Sequence, residues 1–115
     1  MKKKVEIFIG PISCSCAGGM TPARQEKVGR AFLLKRALEK IPDRFTIRLY
    51  SLGNETEYDE GMPILESYLK NSGERELAEH LAFSLNLATP AIAVDGELIS
   101  IGDVPSLEDF LSRIE

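Results

Sequence analysis

The feature that most constrains this chain is a strand pattern, one long helical pattern and a second strand pattern in immediate succession. Lys4 to Ile9 is rich in β-branched and aromatic residues and stops at Gly10-Pro11, which predicts a buried strand. Thr21-Pro22 then supplies an N-cap and a proline at the first helical position. From there Val28, Ala31, Phe32, Lys35, Leu38 and Ile41 recur at helical spacing, with the Lys35 stem lying along the apolar stripe, and Pro42-Asp43 ends the helix. Phe45, Ile47 and Leu49 alternate with Thr46, Arg48 and Tyr50, a strand reaching about Leu52. A strand–helix–strand unit of this kind crosses over right-handed and makes its two strands parallel.

The remaining segments extend that unit. Gly53 to Gly61 is acidic and polar and reads as a loop. Met62-Pro63 opens a short helical pattern with Ile64, Leu65, Tyr68 and Leu69, broken at Asn71-Ser72-Gly73. A further helix carries Leu77, Ala78, Leu81, Ala82 and Leu85 on one face. Thr89-Pro90 introduces a strand over Ala91 to Val94. Asp95-Gly96 is a two-residue hairpin signal, because both central positions of that turn take positive φ. Glu97 to Ile101 is the return strand, so the hairpin adds two antiparallel strands with the one from Ala91 antiparallel to the first strand, and Gly102 and Pro105 lead into a last helix with Leu107, Phe110, Leu111 and Ile114. The expected class is α/β: a mixed four-stranded sheet in the order βαβ-α-ββα, flanked by helices, in one domain over residues 1–115.

Composition narrows the function. The chain of 115 residues carries 14 Lys+Arg against 18 Asp+Glu, a net charge of -4, so the expectation is no nucleic-acid partner. No apolar run approaches the roughly 20 residues of a membrane span, so no membrane partner is expected. Lys2, Lys3 and Lys4 precede an apolar run, and Ile12-Ser13-Cys14 faintly resembles a lipoprotein cleavage site. Glu6 and Gly10-Pro11 interrupt that run too early for a signal core, which favours a first strand and a cytoplasmic protein whose thiols stay reduced.

The two cysteines, Cys14 and Cys16, share one loop between the first strand and the first helix. The C-terminal end of a strand beside a helix N-terminus is where an α/β sheet presents its chemistry. The helix dipole and free backbone N–H groups there favour thiolates, and Gly18-Gly19 lets the backbone approach closely. Only Ser15 separates the thiols, so a disulfide between them needs a tight turn and closes a small ring. Thr89-Pro90 is the second feature. Local statistics favour a trans proline at the start of a strand, with cis at about 5–6% of such bonds.

Cys14-Ser15-Cys16, the strand from Phe45, Thr89-Pro90, the Asp95-Gly96 hairpin and the closing helix together resemble the thioredoxin-like superfamily. The run from Phe8 through Cys16 to Thr21-Pro22-Ala23, with Pro90 and Gly102, looks most like small bacterial disulfide oxidoreductases of the YuzD type. The resemblance implies a three-layer sandwich, Cys14 as nucleophile, Cys16 as resolving thiol, and Pro90 as a cis proline that, with Thr89, holds substrate. It implies a thiol–disulfide oxidoreductase acting on protein or small-molecule disulfides, a monomer or weak homodimer, with no organic cofactor.

Two alternatives stand beside it. Close thiolates suit a soft metal or metalloid such as Cu(I), Zn or As(III), and two chains could together hold zinc or a [2Fe–2S] cluster through Cys14 and Cys16. Phe8 to Cys16 has some likeness to arsenic metallochaperones of thioredoxin fold, whose additional cysteine is absent here. The other alternative is a redox-silent interaction module. His80, the acidic set Glu55, Glu57, Asp59 and Glu60, and Gly18-Gly19 read as structural or solvated, since none matches a ligand or phosphate-loop pattern.

Overall fold

A strand carrying Lys4 and Glu6 nevertheless sits at the centre of the molecule, because both of its faces are covered. The computed structural model describes residues 3–10, 22–81 and 88–114. Its elements are β1 (Lys3–Ile9), α1 (Pro22–Glu39), β2 (Phe45–Ser51), α2 (Glu55–Asn71), α3 (Arg75–Glu79), β3 (Ala91–Val94), β4 (Glu97–Ile101) and α4 (Leu107–Ile114). The four strands form one sheet in the order β2-β1-β3-β4. β1 and β2 are parallel from Lys3↔Phe45 to Ile9↔Ser51, and β3 runs antiparallel to β1 from Val5↔Val94 to Phe8↔Ala91. The expected mixed sheet flanked by helices is present, with the hairpin in the same sheet.

Alternation along β1 splits the core in two. Val5, Ile7 and Ile9 pack with Ala31, Leu34 and Leu38 of α1, Phe45, Ile92, Val104 and Phe110. Phe8 points the other way, to Tyr50, Leu52, Leu65, Leu69, Ala78 and Ala91. Each large apolar side chain fully buried in these layers contributes roughly 1.5–3 kcal/mol. The hairpin follows its sequence: Asp95 has φ 50° and Gly96 φ 87°, the positive pair that matches strand twist. Asp95 also holds β1, accepting from Lys4 N at 2.8 Å through Oδ1 and donating its own N–H to Lys4 O at 2.8 Å.

Two expectations are corrected. The acidic stretch from Gly53 to Gly61 is not a loop, because α2 begins at Glu55. Asn54 Oδ1 caps it, accepting from Thr56 N at 3.0 Å and Glu57 N at 3.3 Å, and Glu55 and Glu57 in the first turn complement the helix dipole. Pro63 therefore lies inside the helix, where it forgoes one backbone bond, and does not open a new one. The helix expected through Leu85 is described only as far as α3 and Leu81; Ala82 and Leu85 lie outside the described residues. Among the described residues no helix is long and apolar enough to cross a membrane.

Candidate functional site

At the C-terminal end of β1 four segments are tied together. Ile9 O accepts from Leu52 N at 2.9 Å, which closes the parallel pair. Gly10 follows, and a Cβ built there would come 2.8 Å from Thr89 Oγ1, so the absence of a side chain lets the end of β1 lie against Thr89. The Thr89–Pro90 peptide is cis, as the resemblance implied and local statistics did not. Both residues are buried, Thr89 at 7% exposure. Pro90 O accepts from Gly102 N at 2.8 Å, and Gly102 O accepts from the half-buried Lys27 ammonium at 2.9 Å. Arg30 of the next helical turn pairs with Asp103 at 3.2 Å. The end of β1, the start of β3, the exit of β4 and the second turn of α1 thus form one hydrogen-bonded corner.

The two cysteines fall between Gly10 and Pro22 in the sequence. Cys14, Ser15, Cys16, Gly18, Gly19 and Thr21 lie outside the described residues. The corner brings Thr89 and Pro90 to the end of β1, with the Lys27 ammonium held on Gly102 O.

The other sequence candidates have structural roles. Glu57 Oε1 accepts from Ser51 N at 3.3 Å, and Glu60 pairs with Arg48 at 3.1 Å. His80 is exposed at the end of α3. Among the described residues no group of three or more His, Cys, Asp or Glu side chains is placed to hold a metal ion.

One polar centre is not evident from sequence patterning. Glu6 is 1% exposed on the Phe8 face of β1. Its Oε1 accepts from Tyr68 Oη at 2.5 Å; its Oε2 has no hydrogen bond and lies 4.0 Å from Lys4 Nζ. Burial, reinforced by the hydrogen bond to Glu6 and the neighbouring Glu6 charge, pushes the Tyr68 hydroxyl up to about 12. The signal was present in the sequence: Lys4, Glu6 and Phe8 share one face of a strand whose other face carries Val5, Ile7 and Ile9 after Lys3. Glu6 read there as an interruption of the apolar run.

No protein-family model matches the chain, and no curated protein matches it in sequence. Among solved structures it is similar to an arsenical resistance operon trans-acting repressor from Bacteroides vulgatus ATCC 8482, at 19% identity and a TM-score of 0.56. The match covers 98% of this chain and 92% of the other. It shows a shared fold, and the protein that shares it is a repressor. The expected place among YuzD-type disulfide oxidoreductases is corrected accordingly, together with the catalytic thiol–disulfide activity, the redox-active role of the cysteines and the disulfide substrates that came with it. One sandwich serves catalytic and non-catalytic proteins alike, so a cysteine pair on it does not specify electron transfer. The expected absence of a nucleic-acid partner is corrected by the same finding. The net charge of -4 averages over unlike surfaces: α1 holds five cations against two carboxylates, and α2 five carboxylates against one cation.

Proposed function

We propose that this chain is a soft-metalloid-binding protein that captures trivalent arsenic through Cys14 and Cys16. The observation that carries the reading is the fold shared along nearly the whole chain with a protein of arsenical resistance. The chemistry of the donors supports it. Thiolates are soft ligands, and two of them one residue apart in the sequence suit a soft thiophilic centre. An exogenous thiol or oxygen would complete the coordination, since the chain has two cysteines only. Thr89 and Pro90 would form the wall beside the loop, buried and rigid, with no contact to the metalloid required of them. The finer classification of the fold as a three-layer thioredoxin-like sandwich belongs to this proposal; the parallel β2–β1 pair with an antiparallel hairpin beside it supports that arrangement. A cytoplasmic location, where thiols stay reduced, fits the same reading.

Equilibrium dialysis of the reduced chain against sodium arsenite, with arsenic quantified in the retained protein, tests the proposal. Stoichiometric arsenic that is lost in both Cys14→Ser and Cys16→Ser supports it. Retention no greater than that of the double variant would refute it.

A second reading is a repressor that contacts DNA, and the described role of the structural neighbour favours it. Fluorescence anisotropy with duplex DNA at low and high salt separates the outcomes. Binding that weakens steeply with salt supports direct phosphate contact, and no binding removes the reading.

A further inference from the structure

The sheet has two edges, and the chain treats them differently. β4 forms one edge and β2 the other. On β4 the pairing with β3 slips at Ile92/Ala93, and the Arg113 guanidinium donates to Ile99 O at 2.8 Å. A bulge and a charged side chain laid on the strand are devices that keep an edge from pairing with another chain. β2 has neither. Its residues pair with β1 without a slip and include no proline.

The direction of the free groups on β2 follows from its ends. Lys3 N donates to Arg44 O and Leu52 N to Ile9 O, so the even-numbered residues of this strand turn their backbone groups to β1. The odd-numbered ones turn theirs outward, and Ser51 N, pointing that way, donates to Glu57 Oε1 at 3.3 Å. The outward N–H and C=O groups of Ile47 and Leu49 have no partner among the described residues, and both side chains are only half-buried. α1 packs over β1 and β2. Its Arg30 and Ala37 face α4 across a groove. Helical spacing puts Phe32, 40% exposed, on the opposite flank, where it overhangs the open edge.

These two features select the occupant. A lone extended peptide would bond the free groups and leave Phe32 in water. A second copy continues both layers. With a two-fold axis perpendicular to the sheet, β2 runs antiparallel to β2, and α1 stands beside α1 on the same face, so each Phe32 is covered by the other copy. A register centred on Arg48 would set two guanidinium groups directly opposite each other, which is unfavourable. A register centred on Ile47 sets the exposed Arg48 opposite the exposed Thr46 of the second copy. We propose that β2 and the Phe32 flank of α1 form an isologous interface that joins two copies of this chain into one continuous sheet, in the register centred on Ile47. In a two-fold contact every pair occurs twice, so a short strand is used with double effect. The interface makes no use of the cysteines and stands apart from the arsenic reading.

Sedimentation velocity and amide hydrogen exchange of the full reduced chain, without arsenite, test the proposal. The wild type is expected to sediment as a dimer, with the Ile47 and Leu49 amides protected where the dimer is populated and exchanging freely on dilution. Phe32→Asp, a change at an exposed position, is expected to give a monomer with an unchanged circular dichroism spectrum. Thr46→Arg, which sets like charges opposite each other twice, is expected to raise the dimer dissociation constant about fivefold, and Thr46→Glu to lower it by a similar factor. A monomeric wild type would overturn the proposal and leave the edge to a strand from another protein. A dimer with freely exchanging Ile47 and Leu49 amides, a dimer that survives Phe32→Asp, or one indifferent to both changes at Thr46 would each overturn it.

Discussion

The two faces of the sheet share the same central strand and have opposite chemistry. On the α1–α4 face, Val5, Ile7 and Ile9 meet aliphatic side chains and Phe110, whose ring contacts Phe45 edge-on at 5.9 Å. On the α2–α3 face, Phe8 stacks on Tyr50 at 5.0 Å and meets Tyr68 edge-on at 6.2 Å, with the Glu6 carboxylate buried beside them. The outer surfaces differ in the same way, basic on α1 and acidic on α2. The contrast shows that one strand can serve a dry core and a polar-centred core at once, because successive side chains face opposite ways. The dry face owes its stability to buried area. The aromatic face also depends on a polar pair, so it should respond to changes that remove little volume.

The largest expected effect lies on the dry face. Phe110→Ala should cost about 3–5 kcal/mol in urea unfolding, since the ring is fully buried and leaves a cavity. On the aromatic face, Tyr68→Phe removes only a hydroxyl, yet it deprives a buried carboxylate of its hydrogen bond and should cost about 1.5–3 kcal/mol. A cost below about 0.5 kcal/mol, the level of an ordinary surface change, would erase the proposed difference between the faces. The double variant Glu6→Leu with Tyr68→Phe should lose less than the sum of the two single changes, which a double-mutant cycle measures directly.

The same pair gives the aromatic face a pH dependence. The folded-state value of the Tyr68 hydroxyl is raised from 10.0 to about 12. Its contribution is therefore fully present below pH 10 and is lost as pH rises through about 12. Urea midpoints measured from pH 8 upward should fall more steeply in the wild type than in Tyr68→Phe; parallel curves would remove Tyr68 from the account. The smallest effects lie at the surface. Asn54→Ala should cost about 1 kcal/mol by uncapping α2, while Arg48→Ala, which breaks an exposed pair, should cost less than about 1 kcal/mol.

The elements most legible in the sequence are those in which local chemistry and packing agree. The Asp95-Gly96 turn, the β1–α1–β2 unit and the closing helix all carry their own signals and form where those signals lie. The start of α2 was illegible for a specific reason: an acidic run resembles a solvated loop unless Asn54 is recognised as a cap and the acids as dipole partners. Pro63 compounded the difficulty, since a proline inside a helix mimics a helix start. At the site, the corner built by Gly10, Thr89, Pro90 and Gly102 could be read only in part. Thr89-Pro90 was visible as a strand start, but the contact of Gly10 with Thr89 and the reach of Lys27 to Gly102 join residues distant in the chain, and no local pattern encodes them. The charge argument rested on a sum over the chain, and such a sum hides a basic α1 and an acidic α2 on opposite faces of the sheet.

The central claim, that the loop leaving this corner captures trivalent arsenic through its two thiols, is tested most directly by native mass spectrometry of the reduced chain mixed with sodium arsenite, combined with alkylation of the free thiols. The account predicts one bound arsenic per chain and protection of Cys14 and Cys16 together, both reversed by a competing dithiol. An arsenic-free chain in which both cysteines alkylate as readily as without arsenite would contradict it.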